Sequence, residues 1–134
     1  MTLCQIYKRY SVMKIFNIRI GEAVETALDR AKQAMIDIEE GREPTEYFGA
    51  GFETMSQLTK IFTPTRWDLI EYLKKAGAMS IYQLAKELGR DYRNVHSDVQ
   101  TLLERSVIKK DEDDKIYMPW DKIVVDWPIL KDAA

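Results

Sequence analysis

Side chains able to bind nucleic acid are concentrated between residues 90 and 101. If residues 92–105 form one helix, then Val95, Val99 and Leu102 share one face at 100° per residue. Hydrogen-bonding groups fall on the opposite face or its flanks. Arg can bind guanine O6 and N7 in the major groove, and Asn or Gln can pair with adenine. The pattern predicts that bases are read by Arg93, Asn94, His96, Ser97 and Gln100.

A second set of polar side chains suits contacts to the phosphate backbone, which fix register without reading sequence. These residues are Ser80, Lys86, Arg90, Tyr92, Lys109, Lys110 and Lys115. Two acids on the base-reading helix, Asp98 and Glu104, would repel phosphate. We expect them to face away from the groove or to pair with Arg105.

The charge of the 134-residue chain is unevenly distributed. The net charge of −2 argues against a non-specific coat on nucleic acid. Residues 59–110 nevertheless hold ten basic and six acidic groups, between two acidic segments at 21–58 and 111–134. This basic block predicts one face for a polyanion and other faces that avoid it.

The elements that position these side chains follow from helix start and stop signals. Thr63 and Pro64 predict the start of a helix that ends at Gly77. Ser80 is a good cap for a short helix closed by Gly89, and Asp91 can cap the helix at 92–105. Residues 107–110 and 115–118 predict two strands around an Asp-rich turn. This order is typical of a winged helix-turn-helix, so the predicted fold class is α+β.

The residues before this unit predict a strand and a helix. Residues 16–20 alternate and stop at Gly21, although no pairing partner is evident nearby. Apolar residues recur at helical spacing from Glu22 to just before Gly41, on a helix whose other face is acidic. Residues 48–51, Phe-Gly-Ala-Gly, look like a connector, and residues 52–62 suggest another helix. A further strand is predicted at 123–127.

We therefore divide the chain into a dimerisation or partner-binding arm at residues 1–58, which holds the strand and the acidic helix, and a DNA-binding winged helix-turn-helix at residues 59–134. A strand without a local partner favours pairing across a homodimer or onto the sheet edge of another protein. The acidic helix is expected to pack against the winged helix-turn-helix, a second copy or a partner protein, and simple packing on its own domain is an equal alternative. Because Met13 resembles a start position, residues 1–12 are interpreted as an extension of no structural importance.

Three stretches carry a resemblance to a known family: residues 62–67, 80–85 and 88–99, of which GRDYRNVH at 89–96 is the most specific. They resemble a prokaryotic family of predicted winged-helix transcriptional regulators, grouped with MarR-like proteins and in part with toxin–antitoxin loci. The resemblance covers most of residues 15–130. It implies sequence-specific binding to operator DNA by a dimeric repressor or antitoxin, the latter with a cognate toxin as partner.

Other function classes find little support in the sequence. The Phe-Gly-Ala-Gly stretch lacks the Lys-Ser/Thr of a phosphate loop, and the Asp-rich turn lacks the Gly and final Glu of a calcium loop. With one Cys, Cys4, and one His, no zinc set or catalytic constellation is predicted, so we expect neither enzyme activity, nor a cofactor, nor a metal.

No apolar run approaches a membrane span and no secretory signal is evident, which predicts a cytoplasmic protein. The remaining alternative is a winged-helix interaction module that neutralises a partner protein without binding DNA.

Overall fold

The computed structural model describes residues 13–44 and 47–129, so the prediction for residues 1–12 lies outside the described residues. The described part is α+β. Its elements in chain order are β1 (Ile15–Ile20), α1 (Val24–Glu39), β2 (Phe48–Phe52), α2 (Met55–Ile61), α3 (Pro64–Ala76), α4 (Ile81–Leu88), α5 (Tyr92–Glu104), β3 (Lys109–Lys110), β4 (Ile116–Tyr117) and β5 (Lys122–Asp126).

The caps predicted from the sequence set the starts of α3, α4 and α5. The Thr63 side chain accepts the amide of Arg66, and the Ser80 hydroxyl accepts the amide of Gln83 at 3.1 Å. At α5 the Asp91 carboxylate accepts the amide of the second helical residue at 2.8 Å. The element order predicted for residues 64–118 is confirmed, and at each of the three helix starts the predicted cap accepts one amide that has no partner within the helix.

The N-terminal strand is paired within its own chain, so the prediction that it pairs across a dimer or onto a partner is wrong. β1 is the middle strand of a three-stranded parallel sheet with the order β2-β1-β5. Ile18 lies beside Ala50 on one side and beside Val125 on the other. The paired residues of β2 and β5 lie 32 and 107 positions further along the chain than those of β1, distances over which local sequence cannot indicate a partner.

The prediction that residues 48–51 are a connector is also wrong, because they belong to β2. Glycine is unfavourable in strands, but here the two backbones approach closely. A Cβ atom built on Gly49 would lie 1.8 Å from the carbonyl oxygen of Asn17. Phe52 ends β2 and does not begin α2, whose start is capped by Thr54.

One hydrophobic core contains residues from both sides of the predicted boundary at residue 58. Phe16, Ile18 and Ile20 point from β1 into this core, where they join buried residues of α3, α4 and α5. The ring of Phe16 lies 5.3 Å from that of Trp120, and the Trp120 indole donates to the carbonyl of Ser106 at 3.2 Å. The sheet and the helices are therefore built on a shared interior.

The short hairpin formed by β3 and β4 is attached to the segment between α3 and α4. Lys110 pairs with Ile116 across the hairpin. Ile116 also exchanges two backbone hydrogen bonds with Met79, at 2.8 and 3.1 Å. The hairpin is consequently held beside the start of α4.

Helix α1 is amphipathic, as predicted, but buries none of its residues. Its apolar side chains are left exposed, Val24 at 70 % and Met35 at 63 %. The alternative in which this helix packs on its own domain is thus not what the structure shows.

None of the helices within residues 13–44 and 47–129 is long and apolar enough to span a membrane.

Candidate nucleic-acid interface

A tight turn of three residues joins α4 to α5. Gly89 ends α4 in the left-handed conformation, with φ of 65°. The amide of Arg90 then donates to the carbonyl of Ala85 at 3.1 Å, which satisfies the end of the helix. Because Asp91 caps α5 directly afterwards, the angle between the two helices is fixed by hydrogen bonds on both sides of the turn.

Helix α5 has two distinct faces. Val95, Val99 and Leu102 are fully buried and hold the helix against the domain. On the outer side, Arg93, Asn94 and Ser97 are exposed, whereas His96, Gln100 and Thr101 are half-buried. The structure thus brings the predicted base-reading residues onto one helix and leaves Arg93, Asn94 and Ser97 the most accessible.

Asp98 lies on the inner side of α5 and is nearly buried. Its carboxylate accepts from Nε of Arg66 at 3.0 Å and from a terminal guanidinium nitrogen of Arg90 at 2.6 Å. Asp98 thus faces away from the outer side of α5, as expected, but its partners are Arg66 and Arg90 and not Arg105, whose guanidinium lies 5.4 Å from the centre of the Phe52 ring. Glu104 is exposed at the end of the helix.

This Arg66–Asp98–Arg90 cluster connects several elements. Arg66 also donates to the carbonyl of Ile61 at 2.8 Å, so the cluster links α2, α3, the turn and α5. This cluster was not predicted from the sequence, although the sequence holds a signal for it. On the helix wheel Asp98 lies 40° from Leu102 and 60° from Val95, at the edge of the buried stripe, and a carboxylate directed toward a core requires a cation.

The predicted phosphate-binding residues near α4 and α5 differ in how they are engaged. Ser80, Lys86 and Tyr92 are exposed, and the Tyr92 ring lies 5.8 Å from the imidazole of His96. Arg90 is half-buried, with 27 % of its side chain exposed, and its guanidinium forms an ion pair with Asp98. Its charge therefore lies behind the turn and not on the outer surface.

A hydrogen bond between Tyr72 and Glu87 connects α3 with α4. The phenol donates to the carboxylate, and this bond lowers the pKa of Glu87 and raises the pKa of Tyr72. Gln83 also donates to Glu87, at 2.9 Å. These hydrogen bonds hold the side chains on the outer side of α4 in place.

The three lysines of the hairpin are not equivalent. The Lys109 ammonium lies 5.4 Å from the ring of Trp120 and 5.9 Å from that of Phe48, which directs it toward the parallel sheet. All three lysines are exposed, and within residues 13–44 and 47–129 none of them forms an ion pair. Lys110 and Lys115 differ from Lys109 in that neither lies over an aromatic ring of the described residues.

The tip of the hairpin is an acidic turn. The Asp111 carboxylate accepts the amides of Asp113 and Lys115 at 2.9 and 3.0 Å, and Asp114 adopts φ of 60°. Asp111 therefore shapes the turn with its carboxylate, as Asx turns do. Glu112, Asp113 and Asp114 are exposed, so the tip itself repels phosphate. No group of three or more potential metal ligands occurs in the described part of the chain.

Residues 61–125 match the model of the HVO_A0114 family. The matched stretch contains α3, α4, α5 and the hairpin, and the family description names no activity. No curated protein matches the chain, and no solved structure does. The resemblance to MarR-like regulators gains no support from these comparisons and stays a prediction.

Proposed function

We propose that residues 64–118 form a winged helix-turn-helix and that the protein is a sequence-specific DNA-binding regulator of transcription. The observation that carries the proposal is the two-faced helix α5, with Arg93, Asn94 and Ser97 exposed opposite a fully buried apolar side. In this proposal α5 enters the major groove and the β3–β4 hairpin is the wing beside it.

The first turn of α5 supplies the proposed base contacts. Arg93 and Asn94 are the second and third residues of the helix, and the N-terminal residues of a reading helix approach base edges most closely. Arg93 has the geometry for a bidentate contact to guanine, and Asn94 for one to adenine. The Asp98 cluster would hold α5 from behind, so that these side chains meet the groove at a fixed depth.

The proposed phosphate contacts surround this helix. Ser80, Lys86 and Tyr92 are exposed near α4 and the start of α5, and Lys110 and Lys115 lie on the hairpin. Arg90 would act differently, since one guanidinium nitrogen is bound to Asp98 and another is buried with no hydrogen-bond partner among the described residues. We assign it a positioning role with a longer-range attraction for phosphate.

The sign of regulation comes from the family resemblance alone. On that basis the regulator would be a repressor, or the antitoxin of a two-gene module whose cognate toxin binds elsewhere on the chain. Neither assignment alters the proposed chemistry of α5.

An alternative function is a winged-helix module that binds and neutralises a protein without binding DNA. The acidic hairpin tip, with Glu112, Asp113 and Asp114 exposed, favours it because a phosphate backbone would be repelled there. In that case the exposed face of α5 would contact a protein, and its affinity would not depend on base sequence.

Selection of bound duplexes from a random-sequence pool, followed by fluorescence anisotropy, tests the proposal. We expect one motif to be enriched and to bind more tightly than its scrambled version. Affinity should fall steeply with salt, by a logarithmic slope of about 0.9 per phosphate contacted. Equal affinity for enriched and scrambled duplexes, or no binding at low salt, would contradict the proposal and favour the interaction module.

A further inference from the structure

The exposed apolar stripe of α1 has the spacing of a coiled-coil seam. It consists of Val24, Leu28, Ala31, Met35 and Ile38, separated by alternating steps of four and three residues. That is the a/d pattern of heptads over the whole 16-residue helix, with Leu28 and Met35 at a. Val24, Met35 and Ile38 are each at least 63 % exposed, and Leu28 is 54 % exposed.

The contacts of α1 with its own chain are made from the far side of the helix. Arg30 pairs with Glu22 and lies over the ring of Tyr47, 4.1 Å from its centre. Asp37 accepts from the guanidinium of Arg42, beyond the end of the helix, at 3.1 Å. Arg30 and Asp37 occupy c positions, which lie 120° or more from the mean direction of the five seam residues at 100° per residue. The seam is therefore directed away from the domain.

We propose that α1 pairs with α1 of a second copy of this chain, as an antiparallel two-helix coiled coil. The proposal does not depend on DNA binding. A second copy is favoured over other occupants because the helix is complementary to itself in apolar contacts and in charge.

The apolar complementarity fixes the direction and the register. When the numbers of facing residues add to 59, Val24 lies opposite Met35 of the second copy, and Leu28 lies opposite Ala31 of the second copy. Each large side chain at a thus meets a smaller one at d. On one flank Ala27 meets Ala34, and these small side chains let the backbones come close.

The charges select the same register. On the other flank Glu25 faces Lys32 of the second copy, and the twofold axis repeats this pair. A shift by one heptad would instead oppose Lys32 to Lys32 and Glu25 to Glu39. A parallel arrangement would place Ala27 beside Lys32 and form no ion pair on either flank. The antiparallel register thus satisfies both flanks and every seam residue except Ile38, which lies opposite Gly21, three residues before α1 begins.

The pairing length determines how tight the dimer is. Sixteen residues rise about 24 Å, which corresponds to little more than two heptads. We therefore expect a concentration-dependent dimer in equilibrium with monomer.

Sedimentation equilibrium of the full chain, under reducing conditions because of Cys4, tests the seam. Met35→Glu places a charge in the seam and should raise the dimer dissociation constant more than about tenfold. Ile36→Glu is the matched control, since Ile36 is also an exposed apolar residue of α1 but lies outside the seam. Circular dichroism checks that both variants fold. A monomeric wild-type chain, or equal losses in both variants, would overturn the proposal.

Charge reversal tests the register. Glu25→Lys and Lys32→Glu should each weaken the dimer about threefold to tenfold, because two attractive pairs become repulsive. The double variant should restore the wild-type affinity. Restoration supports the antiparallel register, and additive losses in the double variant would overturn it. DNA binding of the wild type is measured separately, and neither outcome of that measurement changes the dimer affinities expected here.

Discussion

The carboxylate of Asp98 and the guanidinium of Arg66 form an ion pair, 3.0 Å from Oδ1 to Nε, on the hidden side of the proposed reading helix. The pair joins α5 to α3, while Arg90 binds the second carboxylate oxygen from the turn. One acid with two cations keeps a positive balance behind the helix. The geometry of the exposed face thus depends on a polar contact in the interior.

Asp98→Ala should destabilise the domain by about 2–3 kcal/mol, because two guanidinium groups that are largely shielded from water lose their acceptor. Asp68→Ala is the control, since Asp68 is an exposed acid on α3. It should change the free energy of unfolding by less than about 0.5 kcal/mol. Urea denaturation followed by circular dichroism measures both. Equal effects of the two substitutions would show that the cluster contributes nothing particular to stability.

Arg93→Ala and Asn94→Ala should each weaken binding to the enriched duplex by about 1–3 kcal/mol and relax specificity at one base position. Both side chains are exposed, so the melting temperature should change little. Arg42→Ala, which removes an exposed arginine beyond the end of α1, is the control. If Arg93→Ala leaves affinity and base preference intact, α5 is not the reading helix.

Substitutions of Lys110 and Lys109 should affect DNA binding differently, because the two side chains have different surroundings. Lys110→Ala should weaken binding to all duplexes alike and reduce the salt slope by about one. Lys109→Ala should change the slope less and the stability more, because Lys109 lies over the ring of Trp120. Titrations at several salt concentrations separate the two effects. Identical slopes for both variants would contradict this assignment.

Neutralising the acidic hairpin tip should strengthen DNA binding. Glu112→Gln combined with Asp113→Asn removes two exposed negative charges and leaves the hydrogen bonds of Asp111 in place. Affinity for enriched and scrambled duplexes should rise together, since the effect is electrostatic. Unchanged affinity at low salt would show that the tip lies far from the backbone of the duplex.

Gly49→Ala should lower the free energy of unfolding by about 1–3 kcal/mol or more. The new methyl group would collide with the carbonyl of Asn17 and disturb the parallel sheet. Gly51→Ala is the matched control in the same strand. A Cβ there meets the Arg19 side chain at 3.6 Å, an ordinary contact. Thermal unfolding of both variants checks the pairing of β1 with β2. Equal tolerance of both substitutions would argue against that pairing.

Asp121 should make stability depend on pH. The backbone amide of Lys14 donates to Asp121 at 3.0 Å, and this bond, with a smaller effect of Lys74, lowers the pKa of the carboxyl. A lowered pKa stabilises the folded state above the usual Asp pKa, and the gain is lost as pH falls through the lowered value. Asp121→Asn should therefore cost stability at neutral pH. The difference from wild type should shrink between about pH 5 and pH 2. A difference that stays constant with pH would contradict this.

Local sequence signals predict most of the helical unit correctly. Thr63, Ser80 and Asp91 are recognised as caps because capping is a contact between residues two or three apart. The exposed face of α5 follows from the same periodicity. Such features are decided within one or two turns of the chain.

Features that depend on distant partners could not be predicted in the same way. The pairing of Ile18 with Val125 joins residues 107 apart, and nothing in either strand specifies the other. Glycine at position 49 suggests a turn from the sequence. Here a glycine is required because the backbone of β1 approaches closely, and the local sequence does not show that approach. The ion pair of Asp98 with Arg66 spans 32 residues, although the position of Asp98 on the helix wheel indicated that a cation was needed.

The central position of β1 has a consequence during synthesis. Its partner β5 is the last described strand, so the pairing of Ile15 with Lys122 waits until 107 further residues have been added. At the usual rates of translation that delay is about 5 to 20 s. During this delay, Phe16, Ile18 and Ile20 of the nascent chain are not yet fully covered by the residues that bury them in the folded protein. A chaperone that recognises short apolar segments would find a binding site there before α5 has been synthesised.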